Sequence, residues 1–351
     1  MKTWQKNILT FVIGLGIGVG FLYLVLRNQD MGKIWQNITK VNILWLLASI
    51  VVIFSAYLTR MARWRIILAP VKKVSFKNLF SATMIGFMAV ALLPLRVGEI
   101  IRPYLLARRE NISKSLTFAT IIPVERLFDL AAILSFFAAY LILVPTPHGA
   151  AAEQLDALAT LKSASVFLVA GIFIAAILFV LLRFKSEKFL SVTSKFFSIF
   201  SKKWATRFNK ILASFVEGLT IIKNVKQFSL TYIWSLLTWF AIGLSFWCVL
   251  AAFGVMIPIY HIFVILFLTA AGAAIPVPAG IGPWHYLAYV GVHYFYGVPD
   301  SIAWAAVFVM HLVGFALAVI IGPFFAIREI KDISEILKRG KSGKTKQAEH
   351  L

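Results

Sequence analysis

The chain has 351 residues, of which 60% are hydrophobic and only 14% charged, against about 45–50% and about 25% in a soluble domain. That excess is too large for a globular core of this size and excludes an ordinary soluble protein. The formal net charge of +21 does not indicate nucleic acid, because no basic soluble segment is visible; Lys and Arg collect in cytoplasmic loops of membrane proteins and attract anionic headgroups.

Apolar runs long enough to cross a bilayer fall at about 8–26, 43–62, 116–144, 164–183, 228–253 and 302–327. The first resembles a signal peptide in position. It is too long for one and has no small-x-small cleavage site, so it reads as a retained span, with Gly14, Gly16, Gly18 and Gly20 making a smooth packing face. Two further apolar stretches, about 79–107 and 262–297, are broken by Pro, Gly or charge. The single cysteine, Cys248, lies inside an apolar run and reads as a packed small hydrophobe.

Charge orients these elements. Segment 60–77 carries Arg60, Arg63, Arg65, Lys72, Lys73 and Lys77 with no acid, and segment 183–226 carries ten basic residues. Segments 145–163 and 254–261 are poor in positive charge. The positive-inside rule then sets both termini in the cytoplasm, provided that the two broken stretches enter and leave on one side, the first from the cytoplasm and the second from outside. The predicted fold class is an all-α polytopic membrane protein: six full spans, two re-entrant broken-helix segments and a possible inverted repeat of halves 8–144 and 164–327. Interrupted segments in corresponding positions of two halves point to a binding site near the bilayer midplane; the alternative is two ordinary kinked hairpins. The domain layout is one transmembrane domain, 1–327, and a basic cytoplasmic tail, 328–351. Within the domain, 187–222 has apolar residues at helical spacing, among them Phe189, Phe196, Trp204 and Phe215, interleaved with lysines. It reads as a basic amphipathic helix on the cytoplasmic leaflet or a hairpin on the bundle.

The first broken segment holds Pro94, Leu95, Arg96, Val97, Gly98, Glu99 and Arg102. Pro94 and Gly98 bracket a chain reversal, the one lacking a backbone donor and the other tolerating unusual dihedrals. Arg96, Glu99 and Arg102 follow at helical spacing on one face. The third span carries Glu125, Arg126 and Asp129, again one turn apart. Six charges in lipid would cost on the order of 15–20 kcal/mol at about 2.5–3.5 each, so they must pair, face inward or meet water. They read either as a staple of the re-entrant loop or as a staple that also handles substrate. The second broken segment runs through Pro276, Pro278, Gly280, Gly282 and Pro283 to His285. Pro283 fits the first turn of a returning half-helix. The positive end of that helix would face into the membrane, with His285 in its first turn as a structural residue or a proton or phosphate partner.

The combination of Leu95-Arg96-Val97-Gly98-Glu99 with Arg102, Glu125-Arg126 with Asp129, and Pro276 to Gly282 resembles the membrane domain of lysylphosphatidylglycerol synthases over roughly 8–327. The resemblance implies a flippase-like domain moving lipids between leaflets in a bacterial or archaeal plasma membrane. The soluble aminoacyl-transfer domain of full-length synthases has no counterpart after the tail, so lysine transfer is not expected. The family's second motif commonly continues towards a glutamate, where this chain has Pro283-Trp284-His285.

The leading expectation is therefore a lipid translocator, not an enzyme, binding membrane lipids with phosphate headgroups through Arg96, Glu99, Arg102, Glu125, Arg126, Asp129 and His285. Pro94, Gly98, Pro276, Pro278, Gly280 and Gly282 form the gating segments. No metal, cofactor or nucleic acid is expected. The competing readings are an accessory or scaffold protein for a lipid-modifying pathway and, less favoured, an enzyme acting on lipid phosphates, for which no paired carboxylate motif appears.

Overall fold

The computed structural model describes residues 29–93, 96–143, 222–275 and 277–348, with isolated positions between 16 and 27 and at 171. The expected spans at 8–26 and 164–183, the amphipathic segment 187–222 (Ile222 apart), and the gating residues Pro94 and Pro276 lie outside the described residues. Everything else with regular structure is helical: α1 (Met31–Thr39), α2 (Ile43–Leu68), α3 (Phe76–Leu92), α4 (Gly98–Glu110), α5 (Lys114–Ala119), a π-helical turn (Thr120–Glu125), α6 (Arg126–Leu143), α7 (Val225–Ala252), α8 (Ile262–Ala274), α9 (Pro283–Tyr296) and α10 (Asp300–Ala348).

The helix starts follow capping chemistry. Asp30, Asn42, Ser113 and Asn224 each accept from a backbone N–H in the following turn, with distances of 3.0 Å for Lys33 N, 3.0 Å for Leu44 N, 3.4 Å for Leu116 N and 2.8 Å for Gln227 N. This satisfies donors that the helix itself leaves open. Among the described residues, three helices are long and apolar enough to cross a bilayer: Ile43–Leu68, Val225–Ala252 and Asp300–Glu329. The α2 helix continues to Leu68, beyond the expected end of the second span near residue 62. Arg60 and Arg63 therefore belong to the span and not to a cytoplasmic loop, and Arg63 is fully buried.

The α2 and α7 helices lie side by side, joined by polar contacts from the middle of apolar runs. Ser245 Oγ donates to Ser49 O (3.1 Å), Thr238 Oγ1 donates to Thr59 Oγ1 (2.9 Å) and Gln227 Nε2 donates to Ile66 O (3.1 Å). Such bonds between helices in apolar surroundings average about 0.6 kcal/mol each, so they fix register more than they supply stability.

The two broken segments form two hairpins, α3–α4 and α8–α9. At 13, 13 and 14 residues, α4, α8 and α9 are about 20 Å long at 1.5 Å per residue, short of a hydrocarbon core of about 30 Å. Their packing partners correspond under exchange of the halves. The first hairpin rests on α10, the last helix of the second half, and the second hairpin rests on α6, the last helix of the first half; α2 and α7 pair with each other.

Candidate functional site

A close backbone crossing sets up the first hairpin. A Cβ on Gly98 would stand 2.0 Å from Gly86 O and 2.5 Å from Val90 N, and one on Gly86 would stand 2.7 Å from Arg102 Cβ. Gly98 is thus required by the approach of α4 to α3. The unusual dihedral expected of it belongs instead to Arg96, whose φ is 53°. A non-glycine residue in this region costs on the order of 1–3 kcal/mol and persists only where surrounding contacts enforce it. The second hairpin repeats the crossing, since a Cβ on Gly272 would stand 2.7 Å from Trp284 Cα and 2.8 Å from Pro283 O. Its tip uses dihedral freedom as expected, with φ of 74° at Gly280 and 95° at Gly282. Pro278 begins a short 3-10 turn, and Pro283 opens α9.

The crossing brings α4 against α2 and the π-helical turn, and here the intramembrane charges meet. Pro123 has no N–H for the α-helical ladder, and the wider π turn ends at Glu125. Arg63 Nη2 donates to Glu125 Oε1 at 2.6 Å, and Arg102 Nη1 donates to Glu125 Oε2 at 2.9 Å and Oε1 at 3.1 Å. One turn further, Asp129 Oδ1 accepts from Arg63 Nη1 (2.6 Å) and from Trp239 Nε1 (2.8 Å). Arg63 Nη1 also donates to Ser235 Oγ at 2.8 Å. Burying one ion costs several kcal/mol unless partners surround it; Glu125 and Asp129, 2% and 3% exposed, each have Arg63 and a further N–H donor. Arg102 also stacks on Trp64, its Cζ 4.2 Å from the ring centroid, a cation–π contact that favours a desolvated guanidinium.

A second, more open set of charges adjoins this one. Arg126 Nη2 donates to Glu99 Oε1, and Arg96 Nη1 lies 3.3 Å from the same oxygen. Arg126 Nη1 is 3.9 Å from Asp129 Oδ2. Arg60 Nη1 stands 3.7 Å from Glu125 Oε1 and 4.0 Å from Asp129 Oδ2. Among the described residues Arg60 has no hydrogen-bond partner, and its Cζ lies 4.9 Å from the Phe87 ring centroid.

These side chains line a cavity of about 520 Å³ between the two hairpins and the long helices. Arg60, Arg96, Glu99, Arg102, Glu125, Arg126 and Asp129 form its polar wall; apolar residues such as Leu130, Ile133, Phe246, Phe267 and Phe315 form the rest. Six of the seven expected binding residues thus meet at one cavity. His285 does not line it. It is buried between Trp284, Phe308 and His311, ring centroids 5.4, 5.5 and 4.4 Å away, and its Nδ1 has no hydrogen-bond partner among the described residues. The histidine that reaches the cavity is His311 on α10, whose Nε2 lies 2.9 Å from Ala279 O at the second hairpin's tip.

From the sequence, Arg60 and Arg63 are only a conditional source of positive charge at a cytoplasmic entrance, and Trp239, Ser235 and His311 are not expected as site residues. The i,i+3 spacing of Arg60 and Arg63 beside the apolar run of α2 was the available signal; nothing local marks the other three. Among the described residues no three His, Cys, Asp or Glu side chains are grouped to hold a metal ion.

The arrangement is an arginine-rich, ion-paired wall facing apolar surface, within a multi-pass helical membrane protein. Among curated proteins, none matches the chain. The family model for the lysylphosphatidylglycerol synthase TM region matches residues 11–322, most of the chain's length, and the chain belongs to that family.

Proposed function

We propose that this protein moves anionic or zwitterionic phospholipids between leaflets without covalent chemistry. The headgroup slides along the arginine-bearing wall while the acyl chains stay against apolar surface. The observation that carries this reading is the cavity itself, which joins ion-paired side chains at its polar wall to aromatic and aliphatic ones opposite. Membership of a family named for a lipid synthase's membrane region supports a lipid-related role. Half-helices too short to span, and packing that corresponds under exchange of the halves, support re-entrant hairpins entering from opposite sides of the plasma membrane, with both termini cytoplasmic.

The charges divide by role in this reading. Arg63, with Glu125 and Asp129, staples α2 to the π turn and α6; Arg63 is fully buried and does not line the cavity. Arg96, Glu99 and Arg126 are part-exposed, their side chains 33%, 23% and 43% accessible; the two arginines, held by Glu99, are the headgroup's first contacts. The test is reconstitution into vesicles with fluorescent lipids. Arg96→Ala and Glu99→Ala should slow transbilayer movement at least about tenfold, the worth of one charge-assisted hydrogen bond, while leaving thermal stability close to wild type. Unchanged translocation in both variants would remove the proposed path. Normal cell phenotype with these charges neutralised would favour a scaffold instead.

A further inference from the structure

The charges around the cavity do not balance. Among the described residues, Arg60, Arg63, Arg96, Arg102 and Arg126 meet Glu99, Glu125 and Asp129, leaving a surplus of two positive charges. The surplus has a location. Arg63 uses both terminal nitrogens on Glu125, Asp129 and Ser235, and Arg96 and Arg126 share Glu99. Arg60 donates no hydrogen bond among the described residues, though its side chain is 12% exposed and lines the cavity. Among the described residues Arg102 spends only Nη1, on Glu125, and its buried Nε and Nη2 have no acceptor. Both guanidinium groups flank Phe87, at 4.9 and 5.7 Å from its ring centroid. Their Nη1 atoms stand 3.7 and 3.1 Å from the same Glu125 Oε1, so they lie no further apart than those two distances together. Two oxygens of one phosphate, each taking an N–H donor at about 2.8 Å, can bridge such a gap.

We propose that Arg60 and Arg102 bind a dianionic phosphomonoester in this cavity, the headgroup of a lipid whose chains lie along the Phe246–Phe267 side. This deepens the translocation reading and rests on it for the lipid. A phosphodiester supplies one negative charge and leaves one cation uncompensated in a largely desolvated site; a headgroup bearing added ammonium groups leaves more. The terminal phosphate, with a second ionisation near pH 6, supplies close to two.

The test uses the purified full chain in detergent, titrated with lipid and followed by tryptophan fluorescence, since Trp64 stacks on Arg102 and Trp239 donates to Asp129. Phosphatidate and phosphatidylmethanol share their chains and differ by one methyl group and one charge. Wild type should bind phosphatidate at least about tenfold tighter, the worth of one charge-assisted contact. Arg60→Gln should abolish that preference, and Arg60→Lys should keep part of it. Equal wild-type affinities would overturn the site whatever the variants do, and would leave translocation of diester lipids standing. A clear preference with no transbilayer movement of either lipid would sink the translocator reading and keep the site. Inorganic phosphate binding within tenfold of phosphatidate would overturn the lipid as its source.

Discussion

Arg63→Met isolates the buried staple. Methionine keeps an unbranched chain of similar reach, so the change removes mainly charge and donors. Three hydrogen bonds vanish, to Glu125, Asp129 and Ser235. Glu125 retains Arg102 at 2.9 Å. Asp129 retains one hydrogen bond, from the Trp239 N–H at 2.8 Å, with Arg126 Nη1 at 3.9 Å and Arg60 Nη1 at 4.0 Å; its Oδ2 has no hydrogen bond among the described residues. The cost is therefore chiefly that of stranding one buried carboxylate, about 3–5 kcal/mol, a large share of a total stability of about 5–15 kcal/mol. Arg60→Gln is the internal comparison. Arg60 donates no hydrogen bond among the described residues and keeps some solvent contact, so its loss should cost less than that of Arg63. Reversible denaturant unfolding in mixed micelles measures both. The double variant Arg63→Met/Asp129→Asn removes the stranded charge along with its partner and should recover about 2 kcal/mol relative to Arg63→Met alone, within the range of couplings between contacting residues. If Arg63→Met costs no more than Arg60→Gln, or the double variant recovers nothing, the carboxylates are not held by Arg63 and the staple is refuted.

Gly98→Ala tests the hairpin crossing. The added Cβ meets backbone atoms at 2.0 and 2.5 Å, which no rotamer change relieves, so α4 must move away from α3. The cost should exceed the about 1–3 kcal/mol typical of overpacking, and Arg102 should leave Glu125, measurable as loss of both stability and lipid movement; a wild-type melting curve would refute the close approach. Glu110, at the end of α4, sets an acid limit. Burial pushes its carboxyl upward, but hydrogen bonds from Asn78 Nδ2 (2.7 Å) and the Ser75 N–H (3.0 Å), with Lys72 beside it, outweigh that and hold it below its ordinary 4.5. A carboxylate with a depressed folded-state pKa contributes stability above its unfolded value and loses it as pH falls through the folded one. Wild type should therefore lose a component of stability on acidification below about pH 4.5 that Glu110→Gln lacks, read from melting temperatures between pH 7 and pH 3.5; parallel profiles for the two proteins would contradict it.

Much of the described fold is visible in the letters because bilayer burial imposes long apolar runs and concentrates Pro and Gly where they break. Helix α7, the apolar part of α10 (Asp300–Glu329), the π-interrupted run from Lys114 to Leu143, and both hairpins fall within a few residues of their expected places, whereas α10 continues to Ala348 through the segment expected as a separate tail. The half of the site carried by short-range spacing was equally legible. Glu99 and Arg102 lie one turn apart on α4, as do Glu125 and Asp129 across the π turn and α6; Arg96 precedes α4 in a left-handed conformation and leaves the helical face expected for it. What the letters conceal is pairing at a distance. Arg63 lies 62 and 66 residues from its two carboxylate partners and 172 from Ser235. In a single sequence it resembles any arginine at a cytoplasmic span end. Gly98 shows the complementary limit: the residue was singled out, but its reason is a backbone oxygen from Gly86, twelve positions earlier, and not its own dihedral.

The second hairpin carries the same logic with different chemistry. Its crossing at Gly272 matches the one at Gly86, yet no arginine or carboxylate of α8 or α9 faces the cavity among the described residues; Trp284 does, and His311 of α10 stands against the tip. One wall of the cavity is therefore ionic and the other aromatic. A headgroup that reaches the arginines from the first hairpin's side gains ion pairing, and to leave past the second it must give up those contacts for aromatic surface. A translocator needs the occupied state to be shallow enough to release its cargo. Ion pairs that Glu99, Glu125 and Asp129 already partly satisfy provide that, because each arginine can return to a protein carboxylate as the phosphate departs. On the proposed translocation path the three carboxylates act as internal competitors of the lipid. Neutralising Glu99 should then tighten lipid binding while slowing transbilayer movement; tighter binding with unchanged movement would remove the carboxylate from the release step.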